Sequence, residues 1–193
     1  MSNASLPTDV RDLLDQIDAA RRDALAVVDG LPEYLGTKRP RPTAWSVAEC
    51  IDHLATANRI YVDAMQEPAR RARLDGRARR GPVRPGLIGG IFVYTLEPPP
   101  KWWAPMPAPK MIRPSPSPPL APSFAAFIKS QEDVRAFLRD NADIDLSGVR
   151  FPNPFIPGLR FSLATGLNVI TSHERRHLAQ AWRVRRAVEK SAP

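Results

Sequence analysis

The 193-residue chain is 43% hydrophobic, enough to bury one sizeable core, and its single cysteine, Cys50, excludes an intramolecular disulfide. The formal net charge of +8 is mostly arginine, but no aromatic-interleaved recognition motif accompanies it, so the clusters at 70–80 and 175–190 read as solvated helix faces rather than a nucleic-acid surface. The longest apolar run, residues 87–96, is too short to span a bilayer and no signal-like leader is visible, so a cytoplasmic protein without a membrane partner is expected.

The pattern predicts one domain over 1–193 and a first helix from Thr8 or Asp9 to about Asp29, with Val10, Leu13, Leu14, Ile17, Leu25 and Val28 at helical spacing and Gly30 and Pro32 as its stop. A second helix starts sharply. Ser46-Val47-Ala48-Glu49 matches the capping box, in which a serine hydroxyl and a glutamate carboxylate satisfy the exposed N–H groups of the first turn. Trp45 and Cys50 flank it as a staple, and the helix runs to about Leu74 with His53 on its inward stripe.

Most of the 22 prolines fall between 82 and 122, so residues 76–122 are expected to form a long crossover without a long regular element, packed on the bundle through Trp102 and Trp103. Such a link lets the second and third helices run parallel. The third helix is expected from Ser123, a good cap, through Phe124, Phe127, Ile128, Val134, Phe137 and Leu138 to about Asp140. After a Pro-rich loop at 151–158, a fourth helix spans roughly Ser162 to Val188. The architecture is therefore an all-α four-helix bundle.

All three histidines of the chain fall on inward stripes of these helices. His173 and His177 are four residues apart, which turns one only about 40° from the other and lifts it one turn, so both rings project from the same face. Gly166, Val169, Ile170, Gln180 and Val184 share that direction, with Gly166 expected to leave room near the rings and Gln180 to orient a bound ion's water or substrate. Together with His53 the pair forms a candidate three-histidine metal site. Three neutral imidazoles leave the charge of a divalent ion uncompensated and a position open, as in catalytic sites, where water or a small thiol can be activated. Zinc, nickel, iron, copper and manganese all accept imidazole.

His173-Glu174-Arg175-Arg176-His177 also fits H-E-x-x-H, in which the glutamate of a zinc peptidase is the general base. The extended peptidase motif is absent, because Gln180 and Arg183 stand where it needs glycine and histidine. Glu174 is accordingly expected at the surface or behind a ligand, and Cys50 as a small buried hydrophobe.

Two segments carry a family resemblance. Trp45-Ser46-Val47-Ala48-Glu49-Cys50-Ile51-Asp52-His53-Leu54 and His173-Glu174-Arg175-Arg176-His177-Leu178-Ala179-Gln180 resemble the helix-two and helix-four metal segments of the DinB-like (DinB/YfiT-like) superfamily. That resemblance implies a DinB-like four-helix bundle holding a divalent ion, zinc or nickel foremost, on His53, His173 and His177. It also implies a small-molecule substrate, with small-thiol transferases and hydrolases among the relatives. A non-enzymatic, metal-stabilised binding or stress-associated protein is the alternative, and an exposed bundle face allows a homodimer without any residue fixing one.

Overall fold

The computed structural model describes residues 6–101 and 109–191; Trp102 and Trp103, expected to anchor the crossover, lie outside them. Four long helices form the body: α1 (Thr8–Val28), α3 (Val47–Leu74), α5 (Leu120–Asp140) and α6 (Leu163–Lys190). The short α2 (Glu33–Gly36) follows α1, and α4 (Leu87–Leu96) lies within the crossover. A single 3-10 turn, Lys110–Ile112, follows it. The only sheet among the described residues is a small antiparallel hairpin, β1 (Arg150–Pro152) with β2 (Arg160–Ser162), which pairs Phe151 with Phe161 and leads into α6.

Cross-helix bonds fix the directions. Asn58 meets Ser130 and Arg73 meets Asn141, so α3 and α5 run parallel, as the long crossover requires. Trp182 donates to Asp23 and Arg175 to Gln16, which makes α1 parallel to α6. Asp18 takes Arg135 and Arg21 pairs with Glu132, setting α1 against α5. Asn58 also reaches Glu174, and Met65 packs at Gly166 while His53 lies beside His173, so α3 and α6 are antiparallel.

The capping box at the head of α3 forms as its residues dictate. Ser46 Oγ accepts from the Glu49 N–H at 3.1 Å, and the Glu49 carboxylate accepts from the Ser46 N–H at 2.8 Å. Arg39 grips the same carboxylate from outside. Burial alone would raise the pKa of Glu49, but these donors outweigh it and hold the carboxyl below its usual range.

Two expectations need correction. The crossover is not free of regular structure, because residues 87–96 fold as α4 and dock on α6. Gly89 permits this approach: a β-carbon there would sit 2.4 Å from Thr165 Oγ1. Salt bridging from Arg175 and a hydrogen bond from Ser172, both to Glu97, tie down the end of α4. The other correction concerns α5, which begins at Leu120 rather than Ser123. Pro119 caps it and Pro122 occupies its first turn, where a missing N–H costs nothing because that N–H has no partner within the helix.

The apolar core is divided. One cluster joins Val10, Leu13, Leu14 and Ile17 of α1 to Met65 of α3, Leu138 of α5 and Leu167 of α6. The other joins Ala24 and Val27 to Ile51, Leu54, Phe127 and Leu178. At the break sit Asn58, Gln131 and Glu174, all fully buried and polar. Gly166 belongs to this packing rather than to the histidines: a β-carbon on it would lie 2.7 Å from Met65 Sδ and 2.9 Å from Phe151 Cζ.

The arginines at 70–80 are largely engaged within the chain. Arg70 and Arg71 pair with Glu67, Arg77 with Asp145 and Arg79 with Asp9. Arg70 and Arg71 lie on the exposed face of α3, whereas Arg77 and Arg79 follow the helix and reach back to other parts of the fold. No helix of the described residues is long and apolar enough to cross a membrane.

Candidate metal centre

His53 on α3 and His173 and His177 on α6 meet at one wall of a cavity of about 500 Å³. Their ring centroids are 4.4 to 4.8 Å apart, and one nitrogen from each ring lies within 4.8 Å of the others. The antiparallel packing of α3 on α6 produces this meeting, since it faces the start of one helix with the centre of the other.

Hydrogen bonding sets the tautomer of His53. Its Nδ1 contacts the Ile112 carbonyl, which can only accept, so the proton is on Nδ1 and Nε2 carries a lone pair. That Nε2 lies 3.1 Å from His173 Nε2. The distance is close to the ~3.0–3.4 Å between neighbouring imidazole nitrogens on one ion with bonds of about 2.1 Å. His177 Nδ1 is buried and has no hydrogen-bond partner among the described residues. An orphaned imidazole nitrogen beside two Nε2 atoms that face each other is what a divalent ion would satisfy, so the donor set fits the group.

Electrostatics favour the neutral rings that ligation requires. Burial pushes His53 below its ordinary value and His173 well below it, and the neighbouring rings push His173 further down. Burial, with His53 and Arg176 nearby, takes His177 to about 3. Trp45, just before α3, stacks on His177 at 5.6 Å and tilts against His53 at 4.9 Å, closing one side. Gln180 lines the cavity and its side chain reaches the His177 ring, as its position predicts.

Matching of the chain to family models identifies the DinB superfamily over residues 16–181, from the middle of α1 through most of α6. This chain belongs to the DinB superfamily. Comparisons with curated proteins and with solved structures returned no match. As a DinB-family bundle, the chain puts its three histidines on the two helices where the resemblance places them.

Glu174 does not join this DinB-family cavity. Its carboxylate is fully buried at the break in the core, accepting from Asn58 Nδ2 at 2.8 Å and Gln131 Nε2 at 3.3 Å. The expectation of a surface position is therefore wrong, and the peptidase reading lacks a base aimed at the site. Burial raises Glu174 to about 7, against the opposing pull of the two amides. Cys50 is also fully buried and outside the cavity lining; desolvation pushes its thiol upward, so it is an inert apolar filler.

The structure adds cavity residues that sequence reasoning passed over. Tyr61, further along α3 from His53, and Asn153 form a polar pair in the cavity lining, with Asn153 Nδ2 donating to the tyrosine oxygen at 3.4 Å. Burial raises the Tyr61 hydroxyl above its normal range, keeping it protonated. Phe92 and Leu96 of α4 and Phe155 of the hairpin loop supply apolar walls. Arg176 also lines the cavity. Three residues beyond His173, it points within about 60° of it, so helical geometry already carried the signal.

Proposed function

We propose that the protein is a metal-dependent DinB-family enzyme in which His53, His173 and His177 hold one divalent ion, zinc or nickel foremost, at the cavity wall. The observation that carries this reading is the convergence of three neutral imidazoles, one with an orphaned buried nitrogen, on a cavity large enough for a small molecule. An ion there would act as a Lewis acid, lowering the pKa of a bound water or small thiol to make a nucleophile near neutral pH.

The chain's own residues have defined parts. The Ile112 carbonyl holds the His53 proton on Nδ1 and so keeps Nε2 available. Trp45 and the aromatic walls limit water, while Tyr61 keeps a hydroxyl proton to donate toward a bound substrate. Thiol transfer is favoured over hydrolysis because no carboxylate of the described residues lines the cavity to serve as a base for water, whereas a thiol is drawn as its anion to an uncompensated ion.

Metal content before and after His173→Ala tests the site. About one ion per wild-type chain, falling at least tenfold in the variant, is expected; unchanged content removes the assignment. Consumption of small thiols in the presence of a panel of electrophiles tests the reaction, and hydrolysis without thiol consumption selects water instead.

A further inference from the structure

The two arginines of the histidine motif are used very differently. Arg175 points away from the cavity and is saturated: it bonds Glu97, Gln16 and Ser172. Arg176 lines the cavity with the histidines. Its one hydrogen bond runs from Nη1 to the Thr95 carbonyl at 3.0 Å, and among the described residues it has no carboxylate partner. Most of the N–H donors of its fork are therefore unspent.

A half-buried guanidinium without a counter-ion is costly, because charge is moved out of water without compensation. The surroundings provide none. The described lining contains no aspartate or glutamate, and its other nitrogen-bearing side chains are the neutral histidines, the Trp45 indole and the amides of Asn153 and Gln180. The Thr95 carbonyl on α4 takes an N–H of Nη1 itself, which orients the fork without neutralising it. Apolar walls from Phe92, Leu96, Phe155 and Val169 continue from it toward Tyr61.

We infer that Arg176 is the anchor for a carboxylate on the substrate, whose apolar body lies along Phe92, Leu96 and Phe155 and whose reacting atom faces the three histidines. A planar carboxylate matches the guanidinium fork in a bidentate contact, which a neutral isostere cannot reproduce. The substrate class is thus a small carboxylic acid with an aromatic or aliphatic body. The inference deepens the proposed function and rests on it for the position of the reacting atom, while the anion contact itself depends only on Arg176.

Phenylacetate and phenylacetamide, titrated calorimetrically into zinc-loaded and metal-stripped full-length protein, separate the contributions. The carboxylate is expected to bind about tenfold or more tightly than the amide in both forms. Arg176→Gln should erase that preference with metal content and thermal midpoint retained, and Arg176→Lys should keep only part of it. Equal binding of acid and amide by the wild-type protein overturns the inference without any variant. So does a preference that survives Arg176→Gln but disappears on stripping, since the carboxylate would then sit on the ion. If Arg176→Gln does not fold, Arg176→Lys decides, because lysine can keep the Thr95 bond; an undiminished preference there also overturns it. Loss of the metal assignment by the His173→Ala test leaves the stripped-protein comparison readable, so the two failures are distinct.

Discussion

His173 and Glu174 are neighbours on α6, yet they belong to two polar regions with opposite character. The Glu174 layer lies where the apolar core breaks, and both of its carboxylate oxygens take amide N–H groups from Asn58 and Gln131. Asn58 Oδ1 and Gln131 Oε1 of that layer have no partner among the described residues, but they are sealed in the core, whereas the histidine region borders open space and keeps an orphaned nitrogen and a lone arginine. One polar group has been closed inside the protein; the other remains available to something from outside. A motif read as a single unit is in fact split along the two faces of its helix.

The sharpest way to break this contrast is to change the two residues in turn. Glu174→Ala takes one acceptor from each of the buried Asn58 and Gln131 amides, which keep only Ser130 Oγ and the Ile17 carbonyl, and should cost about 2 kcal/mol in denaturant unfolding, with metal content of the folded protein unchanged. His173→Ala should do the reverse, losing metal while the metal-free protein keeps its midpoint. If Glu174→Ala removed metal and spared stability, the division would be wrong.

A smaller effect is expected at the head of α3. Ser46→Ala should cost about 1 kcal/mol through the lost cap. The Glu49 carboxyl is held below its usual range in the folded protein, so its stabilisation is present above about pH 4.5 and is lost as pH falls through the lowered value. In Glu49→Gln that acid-side loss should be absent from a series of unfolding curves between pH 6 and about 3. Smallest of all, Glu67→Ala on the exposed face of α3 should leave both the thermal midpoint and metal content unchanged, because its pairs with Arg70 and Arg71 lie in water.

The four long helices were legible because each has a wide apolar stripe, and α3 and α6 begin at serine caps. The histidine convergence was legible for the same reason: position on a stripe tells which way a ring points. Helix α4 was not, since Leu87–Leu96 is apolar nearly all round, interrupted by Gly89 and Gly90 and bracketed by prolines, and so has no helical periodicity to detect. The start of α5 was obscured by Pro122, which looks like a breaker unless the helix is known to begin just before it. Glu174 was misplaced because α6 packs against α1, α3 and α4 together, so more of its circumference is covered than one stripe implies. The N–H donors that satisfy it come from α3 and α5, and no spacing within α6 announces them.

The Ile112 carbonyl that fixes His53 belongs to the crossover, not to a bundle helix, and the Ser115 N–H donates to Asp52 beside it at 2.8 Å. One face of the site is therefore borrowed from the segment of the chain with the least regular structure. By reciprocity of coupled equilibria, an ion that selects this His53 tautomer must tighten the crossover by the same free energy with which the ordered crossover tightens the ion. Protection of residues 109–115 from protease is consequently a gauge of site occupancy that needs no knowledge of the substrate.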